Sequence, residues 1–579
     1  MFKLPLIKNL IKYNFILQII CMCFLKAEVI NKSNPEDSPE TKKEFGINKS
    51  KKFMIVCADK RAAKAARNIL ERGGNALDAA IAAQNVLSVV EPQSSGVGGG
   101  GFLLFFNNNT NEIHAWDGRE YAPMSANKDM FINSDKKKIS FLEAITSPSS
   151  IGIPGLYSML ADAHKIHGKT NWKELFEEAI NFTKGFRISK RLNYMLGWAP
   201  HIINDEYAQF LYFKQGVPKE VGELVINDKL NKTLLEISIN PYSVNKGKIA
   251  KKIANRFNNK ISLEDMNAWT TIKRESICSQ YLDYDVCGFP PPTSGGVGVL
   301  QILGILENFK DYPINQRLHR SEHLFLEASR LAYNDRDAYI ADPSFFNVPV
   351  KELLSKSYLN QRSKEININK ANLKVKPGIL KKFDNNKLTK SKSLEKSSTT
   401  HISIVDQFGH AVSLTSSIEF AFGTGKTVGG FFINNQLTDF SFASEKEDGK
   451  KIANSAEPKK KPRSSMAPTF VLKDKELHGV IGSPGGSRII CYVSKSLFYL
   501  IAYEKTLEET LKMPHFCSRN NNTEIEKDKD TYFLEKKLSG LGHNIINKKM
   551  TSGLNIIWKK NNFWYGGSDP RREGVSLGH

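Results

Sequence analysis

"KSSTTHISIVD", residues 396–406, sets two threonines against what reads as a β-strand beginning directly after Thr400. Threonine is a good strand former, so an ordinary strand start is one reading. The context favours another. Residues 369–398, "NKANLKVKPGILKKFDNNKLTKSKSLEKSS", lack apolar periodicity and read as a mobile segment. A mobile segment ending at a threonine suits a chain that is cut between Ser398 and Thr399, so that Thr399 becomes a new N-terminus.

Such a cut changes the chemistry of the residue. A threonine hydroxyl is a weak nucleophile until a base takes its proton. A free α-amino group, with a reference pKa of roughly 7.7–8.0, supplies that base within the same residue. The Ser-His-Asp arrangement is thereby reduced to one N-terminal threonine.

Outward from this point the chain changes texture. After Thr399, "HISIVD", "AVSLTSS", "GFFINNQ", "MAPTFVLKD" and "LHGVIGSPGG" read as sheet segments, and "RIICYVSKSLFYLIAYE" as a helix. Before it, "RAAKAARNILERGG" and "NALDAAIAAQNVLSVVEP" have helical apolar spacing. Gly73-Gly74 ends the first, Asn75 caps the second and Pro92 closes it. "GVGGGGFLLFF" leads into a strand. Residues 130–395 are largely helical in pattern, interrupted by the strand-like "QYLDYDVCGFPPPTSGGVG". Helices followed by a sheet-rich module predict a layered α/β architecture.

The 579 residues, 40% hydrophobic and 10% aromatic, are enough for a large core. Lys3, Lys8 and Lys12 precede an apolar run, Phe15–Leu25, too short to span a bilayer comfortably, with Ala27 as a small processing residue. Residues 1–27 are therefore expected to be a signal peptide, with an uncleaved anchor as the alternative, and 28–52 a flexible lead-in. That places the protein in the periplasm or outside the cell. Of seven cysteines, Cys57, Cys278, Cys287, Cys491 and Cys517 follow the leader, without metal-like spacing. Free buried thiols are the expectation, with a Cys278–Cys287 pair across a hairpin as the alternative. The net charge of +22 comes from lysines diluted with asparagine and no nucleic-acid motif, so nucleic acid is not expected as a partner.

At this point the motifs resemble a known family. "TTHISIVDQFGHAVSLTSSIEFAFG" (399–423) is similar to the signature of the gamma-glutamyltransferases, within the N-terminal-nucleophile hydrolase superfamily. "GGNALDAAIAAQNVLSVVEPQSSGVGGGGF", "WDGREYAP", "PPPTSGGVGVLQILGILE", "EASRLAYNDRDAYIADP", "NNQLTDF", "KPRSSMAP", "GSPGGSRII" and "YGGSDPRR" follow the family's order, so the likeness runs from about residue 53 to 579.

The resemblance implies a four-layer αββα sandwich made of a large subunit, 53–398, and a small catalytic subunit, 399–579, cut from one precursor. It implies that Thr399 is both processing residue and nucleophile, with Gly485 and Gly486 as oxyanion donors and Ser417 steadying Thr399. Arg119, Ser464 and Ser465 would hold the α-carboxylate of a γ-glutamyl group. Asp439, with Gln436 and Glu419, would hold its ammonium. Thr400 would assist the cut or simply start the strand. Glutathione or other γ-glutamyl compounds would be donors, water or amino acids and peptides acceptors, and no metal or organic cofactor is implied. Glu419 stands where many members have Asn, which leaves open whether it faces the ammonium or the carbonyl. The stretch from Asp439 to Ser464 is short and lacks the lid tyrosine of many relatives, which implies an open site. Lys459–Arg463 is expected to be a solvated rim. A glutaryl-type amidase of the same fold, like the cephalosporin acylases, and a non-catalytic γ-glutamyl-binding relative are the alternatives.

Overall fold

The computed structural model describes residues 46–579 apart from 311–319, 382–389, 391–397, 446–448, 521 and 529–530. The expected leader, most of the lead-in and much of the segment before Thr399 lie outside the described residues. Among the described residues no helix is long and apolar enough to cross a membrane.

Two antiparallel seven-stranded sheets stack face to face. Their strands are β1 (Asn48–Ser50), β2 (Met54–Cys57), β3 (Gly100–Asn107), β4 (Glu112–Asp117), β5 (Ile272–Glu275), β6 (Ile277–Tyr281), β7 (Tyr284–Gly288), β8 (Thr399–Val405), β9 (Ala411–Ser417), β10 (Thr469–Lys473), β11 (Glu476–Gly482), β12 (Asn555–Lys560), β13 (Phe563–Ser568) and β14 (Val575–Gly578). One sheet runs β1-β13-β12-β11-β10-β7-β6, the other β14-β2-β8-β9-β3-β4-β5. Each sheet draws strands from both sides of Ser398. The expected succession of helices and then sheet is therefore replaced by an interleaved pair of sheets.

Period-two alternation assigns the layers. Ile55, Leu103, Phe105, Ile402, Ile404 and Leu414 point outward onto α1 (Lys60–Glu71) and α2 (Ala76–Val90). Met54, Val56, Phe102, Leu104 and Phe106 point the other way, into one apolar cluster with Phe470, Val480, Ile481 and Ile556 of the facing sheet. That cluster continues into a second helical layer of α3 (Gly295–Glu307), α4 (Arg320–Tyr339) and α5 (Ile489–Ala502). The αββα order is thus present. Both faces of each central strand are covered, so β8 and β9 are buried at every position.

Helix ends follow the residues that announce them. Asp59 caps α1, and Asn75 and Asp78 form a capping box on α2. Gly295 opens α3 where the sequence pattern suggested continuing strand.

Three expectations are corrected. Residues 48–50 of the lead-in are ordered as β1, because Asn48 and Ser50 bond to Ser576 and His579 at the far end of the chain. Residues 369–381 are packed, with the Gly378 N–H donating to Asp335 (2.8 Å) and Leu380 buried. Cys278 and Cys287 face each other in the β6–β7 register and are bonded, as are Cys491 and Cys517, which leaves Cys57 as the one described cysteine outside a disulfide.

Candidate active site

Thr399 is the first residue of β8, paired in register with Ser417, the last of β9. The neighbour on its other side, β2, begins pairing only at Ile402, so the end of β8 that carries Thr399 is bordered by β9 alone. The Thr399 and Ser417 hydroxyl oxygens are 3.2 Å apart. Ser417 donates its one proton to the Ser398 carbonyl (2.9 Å) and accepts the Glu419 N–H (2.9 Å). With that proton committed, Thr399 is the donor toward Ser417. The bond joining Ser398 to Thr399 thus has its hydroxyl and its carbonyl oxygen fixed by the same side chain. Ser398 is fully buried, its own hydroxyl bonded to the Gln93 carbonyl. Arg572 reaches from the C-terminal segment to the Thr399 carbonyl (3.5 Å) while bonding Thr551. Thr400 is buried on the opposite face of β8, its hydroxyl without a hydrogen-bond partner.

Above this corner, β11 ends and the chain turns through Gly485 (φ +144°) and Gly486 (φ +56°) into a short 3-10 turn and α5. A Cβ on Gly485 would lie 2.5 Å from the Tyr492 ring. Glycine is required on both counts. N–H groups at such a turn, ahead of a helix, are unsatisfied donors in a field that favours negative charge.

At the other end of the cleft the groups are charged. Arg119, just past β4 and fully buried, donates to Asp439 (2.6 Å) and to the carbonyls of Pro462 and Arg463. Gln436 also donates to Asp439 (2.7 Å). Behind Arg119, the Asp117 carboxylate gathers the Arg119 N–H (2.8 Å), Arg274 (2.7 Å) and Lys461 (2.9 Å). Burial alone would raise the Asp117 pKa, but Lys461 and Arg274 hold it below the usual range. Glu120 is buried 3.7 Å from Arg119 with neither oxygen hydrogen-bonded. Desolvation outweighs the guanidinium and pushes its carboxyl up to about 8, which favours the neutral form near pH 7. Glu419 occupies a left-handed conformation (φ +73°), and Asn435 fixes its carboxylate at 2.6 Å. Ser465 accepts from Arg336 (2.7 Å), and the Ser464 carbonyl accepts from Ser294 (2.7 Å).

These ends meet in one cleft. All the residues expected at the site line it except Ser398 and Gly485, which lie at its edge in sequence, and Met466 and Ile489 complete the wall. The charge run is corrected. Lys459 is exposed, but Lys460, Lys461 and Arg463 are buried, paired with Glu457, Asp117 and Asp337 respectively. Among the described residues one group has metal-ligand character, His323, Glu327 and His543. Its two histidine nitrogens are 2.7 Å apart and hydrogen-bonded, and Glu327 is taken by Arg330 and the Asn372 N–H. It does not line the cleft.

A family model described as gamma-glutamyltranspeptidase matches residues 62–579. The chain belongs to the gamma-glutamyltranspeptidase family. It is 32% identical over 548 residues to the glutathione hydrolase proenzyme of Bacillus subtilis (strain 168), covering 92% of each chain. To the glutathione hydrolase proenzyme of Escherichia coli (strain K12) it is 33% identical over 547 residues, 90% of this chain and 91% of the other. The crystal structure of cephalosporin acylase from Bacillus halodurans superposes with a TM-score of 0.82 at 24% identity, covering 94% of this chain and 98% of that one. The last likeness speaks for the fold, which is that of the N-terminal-nucleophile hydrolases.

Within this gamma-glutamyltranspeptidase frame, several residues at the site were not singled out from sequence. Arg336 and Arg572 lie inside quoted motifs, "NDRDAYIADP" and "SDPRR", but nothing local marks which arginine faces inward. Asn435 directly precedes Gln436 and would be found by asking what orients Glu419. Met466 and Ile489 carry no polar signal at all.

Proposed function

We propose that this protein is a self-cleaving gamma-glutamyltransferase and glutathione hydrolase. The observation that carries the reading is the Thr399–Ser417–Ser398 contact at the mouth of a cleft whose far end holds Arg119, Asp439 and Glu419. In the precursor, the Thr399 hydroxyl attacks the Ser398 carbonyl carbon. Ser417 donates to the oxygen on which negative charge develops. The C–N bond breaks, the nitrogen takes the proton, and an ester joins Ser398 to the Thr399 side chain. Water then hydrolyses it, leaving a Ser398 carboxylate on the 53–398 subunit and a free amine on Thr399 of the 399–579 subunit.

That amine is the base for the second reaction. Thr399 attacks the γ-carbonyl of glutathione or another γ-glutamyl amide, Gly485 and Gly486 receive the oxyanion, and the amine or peptide leaves. Arg119, Ser464 and Ser465 hold the substrate's carboxylate; Asp439, Gln436 and Glu419 hold its ammonium. Arg119 and Asp439 pair with each other at 2.6 Å, so a bound zwitterion exchanges one ion pair for two. Water or an amino-acid amine resolves the γ-glutamyl ester. The tyrosine-free stretch between Asp439 and Ser464 lets water compete well with transfer. The expected leader supports a location in the periplasm or outside the cell.

A glutaryl-type side chain has no ammonium to offer the Asp439 and Glu419 carboxylates. Turnover of a γ-glutamyl anilide but not of its glutaryl analogue is expected, and the reverse preference would favour the acylase reading. N-terminal sequencing of the small subunit is expected to begin Thr399-Thr400-His401. Thr399→Ala is expected to give one uncut band on a denaturing gel and to lose roughly 10⁴-fold or more in turnover. Two subunits from that variant would refute the assignment.

A further inference from the structure

The glycine turn is anchored from one side. Arg488 and Cys491 lie three residues apart across the start of α5 and present neighbouring side chains on it. Facing them, the strand Phe516–Ser518 pairs antiparallel with Thr523–Glu526, and Cys517 lies directly opposite Glu524. The two pairs meet. Cys491 is bonded to Cys517. Arg488 grips Glu524 through two nitrogens, Nε to Oε2 (2.8 Å) and Nη2 to Oε1 (3.1 Å). Arg519 grips the same carboxylate at 2.8 Å to each oxygen and also holds the Ser487 hydroxyl, and Lys548 is 3.2 Å away. Tyr333 of α4 donates to the Ser487 carbonyl. Glu524 is 7% exposed, so these contacts are shielded from water.

We propose that Glu524, with the Cys491–Cys517 disulfide, is a positioning clamp that aims the Gly485 and Gly486 N–H groups at the reacting carbonyl. Neither group lines the cleft. Two successive residues with positive φ have many conformations open to them, and glycine itself selects none. What selects one is the segment directly after them: Ser487 fixed by Tyr333 and Arg519, Arg488 by Glu524, Cys491 by a covalent bond. Oxyanion donors lose their effect through small errors of aim, so a loosened turn costs turnover before it costs substrate binding. The proposal rests on the reading of this glycine pair as the oxyanion donors.

The test compares the parent enzyme, Glu524→Gln, and the double variant Cys491→Ala/Cys517→Ala in a γ-glutamyl anilide assay, well below each protein's melting temperature. Both variants are expected to lower kcat by ~10-fold or more with KM within about twofold, since one misaimed donor approaches the loss of one donor. Glu524→Asp, which keeps the charge, is expected to recover part of the loss. Hydrogen exchange over residues 483–490 asks the same question without substrate: ~10-fold faster exchange there, with β8 and β9 unchanged, is expected in both variants. Parental kcat in Glu524→Gln, or parental exchange over 483–490, would overturn the clamp while leaving the enzyme's activity as proposed. A parent inactive on the anilide would instead overturn the functional reading, and the exchange result would still decide whether the turn is clamped.

Discussion

At one end of the cleft, Thr399, Ser417 and the Gly485–Gly486 turn present hydroxyls and backbone N–H groups whose places are set by strand register and by positive φ. At the other, Arg119, Asp439 and Glu419 present charged groups on loops and a 3-10 turn, with Asp117, Lys461 and Arg274 behind Arg119 and the Asn435 amide on Glu419. The first end is neutral and geometric; the second is electrostatic. They should therefore fail differently. An error at the geometric end misplaces atoms that must coincide in the transition state and reduces kcat. An error at the charged end leaves a buried partner uncompensated and weakens substrate binding.

The sharpest way to break this contrast is Gly485→Ala. Its added Cβ would collide with Tyr492 and force an unfavourable φ, so kcat should fall ~10²–10³-fold with KM little changed. A variant whose defect lay in KM would erase the distinction. Next in size, Asp439→Asn removes the anion 2.6 Å from Arg119 without changing shape. Its KM for γ-glutamyl donors should rise ~10–100-fold with kcat within severalfold, in steady-state assays that vary the donor up to saturation. An unchanged KM would contradict its ammonium role.

The smallest effect is on stability. Glu120 is held protonated up to about pH 8, whereas in the unfolded chain it ionises near its ordinary value. Between those pH values the folded state carries one more proton than the unfolded state, so stability falls as pH rises. The slope from this group is at most ~1.4 kcal/mol per pH unit. Glu120→Gln should flatten the decline in urea midpoint between pH 6 and 8, and an unaltered slope would show that Glu120 ionises in the folded protein.

The geometric end was the more legible from sequence. Alternation and glycine pairs are local signals, and local rules read them: β9, α2 and the Gly485–Gly486 turn fall where the pattern puts them, and β8 begins two residues earlier, at Thr399 rather than after Thr400. The charged end was legible only in part. Runs like "EPKKKPR" (457–463) look identical whether solvated or paired, because the partner is remote in sequence; Lys461 finds Asp117 and Arg463 finds Asp337. The cysteines pose the same problem. Cys278 and Cys287 could be placed across a hairpin, but nothing in the chain says that a helix start will arrive over Cys517. Interleaving of the sheets is likewise invisible to periodicity, which reports that a strand exists and not which strand lies beside it.

That interleaving governs what the proposed cut would do to the molecule. Severing the chain at Ser398 leaves β8 seated between β2 and β9, one neighbour supplied by each fragment, with no face on which the two pieces part cleanly. Neither piece retains a complete sheet. Before the cut, refolding is an event within one molecule; afterwards it requires two polypeptides to find one another, so recovery from denaturation should depend on dilution as it never did for the precursor.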